Sequence, residues 1–592
     1  MVNNEDKEWF LATTANESFW DTSKPILFLG EWCQRYSQRA HWEGLEGLLL
    51  EGPFDNTESL NKAYRFVGEV YEHVLPLLGD ALNELHATEY GNRYWRIVIG
   101  PWLYWYITVI YDRYLCLKGA LADYPGLVTI GLSECSFVTP SNTIEFVNLV
   151  RSDLFNLQIY TNILAALGKE FPRKSTQVES THGGNKTLAS LWKIKIRAVI
   201  SRVFSSITAH ATPSIVLHNT YFSRACEFWL ALRAAGRILP NFGFEPSVRE
   251  PSLRNDTPYN RSNMKQIPLG NGEFEKCLSS GLSMDIPKCF FENFKAIDAK
   301  AKIFYSKPIK AIFSANSWYF DEVFKQFAAS SAENGTLLLG TSHGGDYGGL
   351  CLMAAEDHET AIVDCYYSWG WNRDNCKATV IPMPATKLMG RKKISANNSG
   401  VGALWVITTS SRYLLELPFT PKLFDEYLSW QCRFVKTLRE DIVSEISVRP
   451  HFSDHGWDIV QRLKDCIPHI PVETWGVPFQ QRLRECRLYI CDHLSTTFAE
   501  ALAINKPTIL FWNPQANELR PEAQFYYDLL RSNGILFDTP EVAAAAVNDV
   551  YYDVKTWWNQ PDRQAAIQIF CEQFARTSPN AIALWDEELR KY

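Results

Sequence analysis

The sequence predicts an α/β protein in which two Rossmann-like domains face a cleft. Three observations support this fold class. With 592 residues, the chain is too long for a single hydrophobic core. Short apolar segments alternate with amphipathic helical segments in two separate stretches, which is the pattern of βαβ units and parallel sheets. A basic segment rich in Asn, Ser and Gly, residues 387–400, separates these stretches and has the composition of a linker.

The first stretch begins with strands and continues with long helices. The predicted strands are 9–14, 25–30 and 127–132, and the predicted helices are 56–86, 93–118 and 142–167. Asn56 and Thr57 form a capping signal for the first helix. The uncharged apolar run 97–111 contains Gly100 and Pro101 and is shorter than the about 20 residues that cross a bilayer. We therefore predict a buried helix at this run and no membrane span.

The middle of the chain contains polar segments and then a regular alternation. Residues 171–185 predict a surface loop, and residues 186–206 predict a basic helix. Residues 240–268 are rich in Pro, Asn, Gly and Arg, which predicts either a mobile loop or the rim of a site. A short strand, 215–217, is predicted between these polar segments. The regular alternation after them consists of strands 311–314, 336–341 and 365–368, a helix at 319–333 and a short helix within 347–359.

The stretch after the linker repeats the alternation. Its predicted strands are 404–409, 445–449, 487–491 and 508–511, and its predicted helices are 422–438, 457–464, 498–504, 522–532 and 540–558. Residues 563–592 predict a final helical stretch with a break at Ser578-Pro579. The predicted parts are an N-terminal acceptor-side α/β domain (1–390) with a helical insertion (about 57–300), a linker (391–402), a donor domain (403–575) and a helical tail (576–592). This division fits the GT-B architecture of glycosyltransferases, whose donor nucleotide binds at the strand ends of the C-terminal domain.

Composition and charge exclude several other classes of protein. The chain is 46% hydrophobic and 21% charged, which indicates a folded globular protein. A net charge of −7 argues against a nucleic-acid partner. Residues 1–8 lack the apolar core of a secretory signal, and the 14 cysteines are scattered without C-x-x-C pairs. We therefore expect reduced thiols in a cytoplasmic protein, and contact with the inner face of the membrane stays open.

The most informative motif follows the predicted strand 487–491. The hydroxyls of Ser495, Thr496 and Thr497 stand at the start of the next predicted helix, where free backbone N–H groups and the helix dipole favour an anion. Glu500 lies in the first turn of that helix, where its carboxylate can accept hydrogen bonds from a ribose. A phosphate-binding turn beside such a carboxylate predicts a nucleotide-sugar site, and a plain helix cap is the alternative.

Two further turns are predicted at the same edge of the sheet. Ser410 and Ser411 follow the first strand of the donor domain, and Arg449 and His451 follow the second. A guanidinium and an imidazole at strand ends can neutralise donor phosphates, so we predict that no metal is needed. A surface turn is the alternative for each motif alone, but three turns at one edge favour a donor site.

The catalytic group is expected at a strand end of the N-terminal domain. His343 and Asp346 follow the predicted strand 336–341, and an imidazole titrates near neutral pH, as a general base should. The predicted substrate loop comprises Gly344, Gly345, Tyr347 and Gly348, whose glycines would let a ligand approach the backbone. Glu31, at the end of the second strand, is the alternative base. A tight strand–helix turn is the alternative for the whole glycine-rich motif.

Several short motifs stand out along the chain. They are Ala12-Thr13-Thr14-Ala15, Glu17-Ser18-Phe19-Trp20, Phe28-Leu29-Gly30-Glu31-Trp32-Cys33, His343-Gly344-Gly345 with Tyr347-Gly348, Ser495-Thr496-Thr497, Asn505-Lys506-Pro507-Thr508 and Phe511-Trp512-Asn513-Pro514. Together they resemble a transferase family of bacterial O-antigen and surface-polysaccharide gene clusters, over nearly the whole chain. Members of that family carry Gln before the His-Gly-Gly motif. This chain has Ser342 there, so no amide role is carried over.

The resemblance implies a GT-B glycosyltransferase that takes a nucleotide sugar as co-substrate, with no separate cofactor. Its acceptor would be a glycan or a lipid-linked glycan. The Ser/Thr turn and Arg449-Pro450-His451 are also similar to donor sites of sialyltransferases and Kdo transferases, which implies a CMP-activated nonulosonic acid or Kdo as the donor. A UDP or GDP sugar, a sugar-nucleotide epimerase of the same fold, and a non-catalytic glycan-assembly protein stay open as alternatives.

Overall fold

The computed structural model describes residues 8–54, 56–176, 214–234, 237–239, 261, 267, 269–304, 309–394 and 400–592. Three predicted segments lie wholly or largely outside these residues. They are residues 177–185 of the predicted surface loop, the predicted basic helix 186–206 and nearly all of the segment 240–268. Residues 395–399 of the predicted linker lie outside them as well.

The strands of the described residues form parallel sheets. The strands are β1 (Phe10–Ala12), β2 (Ile26–Phe28), β3 (Gly47–Leu49), β4 (Gly131–Leu132), β5 (Arg173–Lys174), β6 (Ile215–His218), β7 (Ile238–Leu239), β8 (Ala311–Ser314), β9 (Leu337–Thr341), β10 (Cys365–Ser368), β11 (Thr379–Pro382), β12 (Ala403–Val406), β13 (Ile446–Arg449), β14 (Leu488–Cys491), β15 (Thr508–Phe511) and β16 (Leu536–Phe537). A six-stranded sheet has the order β11-β10-β9-β8-β6-β7, and a five-stranded sheet has the order β13-β12-β14-β15-β16. The predicted fold class of two α/β halves with a helical C-terminal region is thereby confirmed.

Two features of the N-terminal half differ from the prediction. Strands β1, β2 and β3 form a sheet of their own. Strand β3 was not predicted, because it is exposed and lacks the buried apolar pattern that reveals a strand. Strands β6 and β7 fall within the predicted helical insertion at about 57–300, but they belong to the six-stranded sheet. A fully buried strand of 4 residues, such as β6, leaves little periodic signal, so the sequence did not show its place in the sheet.

Helices cover both halves. Those of eight residues or more are Thr57–His86, Asn92–Asp123, Thr143–Val150, Asp153–Ala166, Arg224–Arg233, Glu273–Asp285, Phe294–Phe304, Glu322–Glu333, Ala354–Ile362, Pro421–Thr437, Ile459–Cys466, Thr496–Ala503, Pro521–Ser532, Pro540–Val550, Pro561–Phe574 and Ala581–Leu589. The predicted cap at Asn56 is confirmed, since its side chain accepts a hydrogen bond from Ser59 N at 2.9 Å. The predicted helix 142–167 is two helices, because Ser152 caps a second start. Arg151 lies at the break.

The aromatic helix Asn92–Asp123 is buried along most of its length, as the sequence predicts. Trp95 and Trp102 are among the largest fully buried side chains. Arg113 is also fully buried and pairs with Asp112 at 2.7 Å, so the charge within the helix is neutralised locally. Among the described residues, no helix is long and apolar enough to cross a membrane.

Many contacts join the two α/β halves, and three of them border the carboxyl edge of the five-stranded sheet or anchor the C-terminal helix. Arg412, after β12, donates to Asp153 Oδ2 at 2.7 Å. The glycine-rich loop after β9 packs with Gly345 against the first turn of helix Thr496–Ala503. The helix Ala581–Leu589 returns from the C-terminal half and packs through Trp585 on the core around β6 and β8. These contacts place the carboxyl edge of the five-stranded sheet opposite the helices of the N-terminal half.

The cysteines depart from the prediction at one pair. Cys432 and Cys466 form a disulfide with their Cα atoms 6.0 Å apart, which joins helices Pro421–Thr437 and Ile459–Cys466. The expectation that all cysteines are reduced is therefore wrong for this pair, and the remaining cysteines are free thiols. The pair is 34 residues apart in sequence, so a search for closely spaced cysteines could not find it.

Gly345→Ala is expected to destabilise the protein. The added methyl group would meet the backbone carbonyl of Ser495 and would lie 3.1 Å from Cβ of Ala499. Overpacking of this kind costs about 1–3 kcal/mol in the free energy of unfolding. Gly119→Ala is the matched control, because nothing lies within 4 Å of its added methyl group and Ala favours a helix. Urea denaturation measures both, and wild-type stability of Gly345→Ala would contradict the packing.

Candidate functional site

A cavity of about 740 Å³ lies at the carboxyl edge of the five-stranded sheet. The turns after β12, β13, β14 and β15 line it, and Phe320 and residues of helix Thr143–Val150 line it from the N-terminal half. In the order β13-β12-β14, successive strands are added first on one side of β12 and then on the other. The topological switch point of the sheet therefore lies between β12 and β14, which is where open parallel sheets bind ligands.

The structure brings the three predicted turns together. Ser410 and Ser411 after β12, His451 after β13 and Ser495 after β14 all line the cavity. Ser411 is 8% exposed, and its hydroxyl has no hydrogen-bond partner. A buried polar group without a partner costs about 1–3 kcal/mol, so a ligand that bonds to it would gain affinity.

Arg151 reaches the cavity from the N-terminal half. Its side chain forms no hydrogen bond or ion pair with any residue that the structure describes, and its Nε is buried. Burial lowers the pKa of Arg151, but a guanidinium stays protonated at neutral pH. An unpaired cation in a cavity is a binding site for a phosphate or a carboxylate.

Asp492 and His493 supply a second cation. Asp492 is 2% exposed, and Nδ1 of His493 lies 3.0 Å from its Oδ1. The other hydrogen-bond donors to Asp492 are Tyr427 (2.8 Å), Gln431 (3.1 Å) and Trp405 (3.2 Å). Burial lowers the pKa of His493, but Cys491 and Asp492 raise it more, and the pKa reaches about 10. The His493 ring, which lines the cavity, is therefore charged at neutral pH.

Two indoles add further donors to the cavity wall. Trp430 and Trp512 line the cavity, and the Nε1–H groups of both are buried without a hydrogen-bond partner. Arg151 and Ser411 likewise line the cavity and carry a buried polar atom without a partner, and all four side chains are hydrogen-bond donors. Such a wall suits a ligand that is rich in acceptor oxygens.

A carboxyl group faces the same cavity. Glu416 lines it, and Oε1 of Glu416 accepts a hydrogen bond from Nε1 of Trp105 at 2.6 Å. Arg113 holds this segment in place, since its Nη1 donates to the carbonyl of Leu414 at 2.7 Å. Burial raises the pKa of Glu416 and the carboxyl of Asp346 adds to the increase, so Glu416 is a stronger base than a surface glutamate.

These groups can hold an anion and accept a proton in one enclosed space. Arg151 and His493 provide positive charge, and the start of helix Thr496–Ala503 adds the positive end of its dipole beside Ser495. Among the described residues, no group of three or more His, Cys, Asp or Glu side chains could hold a metal ion.

The family model of the LIC12162 family transferases matches residues 9–589. The chain belongs to this family. The part of the sequence resemblance that concerns a transferase family is thereby confirmed. No protein with a curated description matches this transferase at a significant level.

Solved structures show a remote likeness in fold. A candidate UDP-N-acetylglucosamine 2-epimerase of Listeria monocytogenes is 9% identical, with a TM-score of 0.36 over 64% of this chain and 98% of its own. A UDP-forming α,α-trehalose-phosphate synthase of Burkholderia vietnamiensis is 12% identical, with a TM-score of 0.32 over 64% and 96%. MurG of Acinetobacter baumannii is 12% identical, with a TM-score of 0.29 over 64% and 100%.

Three of the predicted donor-binding residues on helix Thr496–Ala503 do not line the cavity. Thr497 turns inward, with its Oγ1 3.0 Å from Oγ of Ser495, and Thr496 is likewise absent from the lining. Glu500 is buried and accepts a hydrogen bond from Nη1 of Arg391 at 2.8 Å. This ion pair turns its carboxylate away from the cavity, so the predicted ribose role has no support in the geometry.

Arg449 and His451, which the sequence predicts to neutralise the donor phosphates, are not the cations that face the cavity. Arg449 is 3% exposed and donates to Oε2 of Glu473 at 3.2 Å, so its charge is already compensated. His451 lines the cavity, but burial lowers the pKa of its ring, which is therefore neutral at pH 7. The cations that face the cavity are Arg151 and His493.

His343 lies outside the cavity lining. Its Nε2 is 2.9 Å from Oε1 of Glu359 and 2.7 Å from the hydroxyl of Tyr347. The hydroxyls of Tyr319 and Tyr366 also donate to Glu359, at 2.8 Å and 2.9 Å. The ring therefore belongs to a hydrogen-bonded cluster around one buried carboxylate, and its predicted role as a base is not supported by its position.

The remaining predicted catalytic and loop residues also lie outside the lining. Methyl groups added to Gly344, Gly345 and Gly348 would touch Asp346, Ser495 and Trp371, respectively. The glycines of the predicted substrate loop are therefore explained by close packing. Burial raises the pKa of Asp346 and of Glu31. Glu31 lies beside helix Pro421–Thr437, close enough to feel the charges of Asp425 and Lys422, because the short turn Glu31–Cys33 packs against that helix.

Sequence reasoning missed four residues of the cavity, namely Arg151, Glu416, Asp492 and His493. Asp492 and His493 directly follow a predicted strand and precede the hydroxyl turn, so their position was a usable signal. Arg151 and Glu416 had no signal in the sequence that could have identified them. The first lies where the apolar pattern predicts an unbroken helix, and the second lies in a loop whose place depends on distant contacts.

His493 is expected to titrate near pH 10. Its folded pKa lies above the ordinary 6.5, so its charge stabilises the fold fully below about pH 6.5, and this contribution is lost as the pH rises through about 10. Asp492→Asn should lower the ring pKa by about 1–3 units, and Cys491→Ala measures the share of the sulfur. Ring NMR signals followed against pH test this, and a wild-type midpoint near 6.5 would contradict the buried cation.

Proposed function

We propose that this transferase is a glycosyltransferase that holds a nucleotide sugar in the cavity and passes the sugar to a hydroxyl of a glycan. The observation that carries the proposal is the unpaired guanidinium of Arg151 in a cavity at the switch point between β12 and β14. A phosphate group is the ligand that this position and this charge suit best.

The cavity offers room and partners for the nucleotide. Its volume of about 740 Å³ lies within the range of about 300–1,000 Å³ that is usual for ligand sites. Arg151, His493 and Ser411 all line the cavity and offer donors to anionic groups of the nucleotide sugar. The aromatic walls with Trp430 and Trp512 suit a base, whose carbonyl oxygens can accept the indole hydrogens.

For the donor, we favour a CMP-activated acidic sugar, such as a nonulosonic acid or Kdo. Such a donor carries two separate anionic groups, one phosphate and one sugar carboxylate. Arg151 and His493 supply two cations from different elements, one from the helix break at residue 151 and one from the end of β14. A UDP or GDP sugar would place its charge in one diphosphate instead. The sequence similarity to sialyltransferases and Kdo transferases points the same way.

For the acceptor, we propose a bacterial surface glycan of the O-antigen type, free or linked to a lipid at the inner face of the membrane. Phe320, Phe419 and Phe452 line the cavity and are exposed at the same time, so they form an aromatic rim at its mouth. Aromatic rings present flat apolar faces against which the C–H faces of sugars can pack. The exposed rim is therefore suited to a sugar chain that enters from solvent.

Nucleotide binding tests the donor site directly. In a thermal-shift screen of CMP, UDP and GDP, CMP should raise the melting temperature most, because a ligand that binds only the folded state stabilises it. Arg151→Ala should weaken CMP binding in calorimetry by about 1.5–3 kcal/mol, the scale of a hydrogen bond to a charged group. Arg439→Ala is the matched control, since Arg439 is exposed, pairs with Asp441 at 2.5 Å and lies outside the cavity lining.

Two results would count against this site. Unchanged CMP affinity in Arg151→Ala would remove the residue on which the proposal rests. A clear preference for UDP or GDP would overturn the CMP donor but would leave the nucleotide site in place. Binding of no nucleotide at millimolar concentration would overturn the proposed function itself.

Turnover is expected to persist in EDTA. Arg151 supplies the positive charge that a metal would otherwise bring to the leaving phosphate. The release of free nucleotide from the donor selected by the screen is measured in excess EDTA, and again after Mg²⁺ or Mn²⁺ is added in excess over the EDTA. Loss of turnover in EDTA that either metal restores would contradict the prediction.

A further inference from the structure

The cavity contains one carboxyl group in a position suited to proton transfer. Glu416 lies in the loop that follows β12 and lines the cavity together with Arg151, Phe320 and Phe419. Its Oε1 is held by Nε1 of Trp105 at 2.6 Å. The other oxygen forms no hydrogen bond or ion pair with the residues that the structure describes. One oxygen is thus anchored, and the second is left for a ligand.

We propose that Glu416 is the catalytic base, which takes the proton from the acceptor hydroxyl as the sugar is transferred. The proposal rests on the proposed function, because it needs a nucleotide sugar in the same cavity. It replaces His343 and Glu31, the candidates that the sequence favours, since neither lines the cavity.

The surroundings of Glu416 support this role. Trp105 acts on Glu416 as a hydrogen-bond donor. The charged and titratable groups near Glu416 are Asp346, Arg151, Tyr104 and Tyr319. Burial raises the pKa of Glu416 and Asp346 adds to the increase, while Trp105 and Arg151 oppose it. Glu416 is therefore more basic than an exposed glutamate, and Arg151 still favours its ionised form, which a base needs.

The position of Glu416 near the mouth of the cavity also suits a base that acts on the acceptor. The aromatic residues Phe320 and Phe419 lie at the mouth, where the acceptor enters, whereas Ser411, His493 and Ser495 lie at the strand ends, where the phosphate is expected. Phe320 stacks on Trp105 with the ring centroids 5.5 Å apart, so the residue that anchors Glu416 is itself part of the acceptor side. The carboxylate thus stands on the side from which the hydroxyl comes.

The step balances without a further reactant. The acceptor oxygen forms a bond to the anomeric carbon of the donor sugar as its O–H proton passes to Oε of Glu416. The bond between the anomeric carbon and the phosphate oxygen breaks, and its electron pair stays on the phosphate of the released nucleotide. Arg151 stabilises that charge. One displacement of this kind inverts the configuration at the anomeric carbon.

Glu416→Gln tests the proposal, because Gln keeps the size and the hydrogen bond from Trp105 but cannot take the proton. Turnover of the donor found in the nucleotide screen should fall by about 10²-fold or more, the usual scale for a general base. The affinity for the free nucleotide should stay within about twofold, with an unchanged melting temperature. Glu541→Gln, an exposed carboxylate that pairs with Arg433, is the matched control and should keep full turnover.

The outcomes separate this inference from the proposed function. Nucleotide binding with undiminished turnover in Glu416→Gln would overturn the role of Glu416 and leave the glycosyltransferase intact. A product with retained anomeric configuration would overturn the single displacement. Absence of nucleotide binding in the wild type would overturn both. Loss of nucleotide affinity in Glu416→Gln in parallel with turnover would show a binding residue, which also overturns the role as base.

The pH profile gives an independent readout through Trp105, a positioning residue. Its N–H stabilises the ionised carboxylate and so lowers the pKa of Glu416. Trp105→Phe removes this donor, so the pKa should rise, and the acidic limb of kcat should move to higher pH by about 0.5–1 unit. A kcat that falls equally at every pH, with no shift of the limb, would contradict proton transfer at Glu416.

Discussion

The ion pair between Asp153 and Arg412 is the interaction on which the geometry of the cavity depends most. Asp153 begins a helix of the N-terminal half, accepts a hydrogen bond from Ala15 N of the small sheet at 3.0 Å, and accepts from Arg412 at 2.7 Å. Arg412 is 4% exposed, and the removal of one partner from a buried pair costs about 3–5 kcal/mol. Because Ser411 and Glu416 lie on either side of this anchored segment, one carboxylate positions two walls of the cavity.

The charged groups at and near the cavity differ in whether another side chain already neutralises them. Arg449 and Glu500 are satisfied by Glu473 and Arg391, so they hold the scaffold together. Arg151 forms no hydrogen bond or ion pair with the described residues, and burial disfavours its charged form more than the charge of Glu416 favours it, so the free energy of this cation is raised in the empty protein. A bound anion lowers that free energy. The same low dielectric that makes the unpaired cation unfavourable makes its interaction with a ligand strong.

Local sequence patterns were sufficient for most elements and for part of the site. The strands at 365–368 and 508–511 were predicted to the residue, because each is a short apolar run bounded by turn residues. The helix predicted at 142–167 was not resolved into two, since the apolar spacing continues across Ser152. A hydroxyl beside a strand end was recognisable at Ser411 and Ser495. The direction in which Glu500 points was not, because it is set by Arg391, a residue more than a hundred positions away.

The sequence by itself determined that parallel strands end in polar turns, and it therefore placed Ser410, Ser411, His451 and Ser495 at one edge of a sheet. This follows because the carboxyl ends of parallel strands share an edge whatever their order. Only the tertiary structure decided which groups face those turns. The strand order β13-β12-β14 sets the switch point, and the pairing of Asp153 with Arg412 brings Arg151 and Glu416 to it. Such contacts join residues hundreds of positions apart, and no local pattern in a chain encodes them.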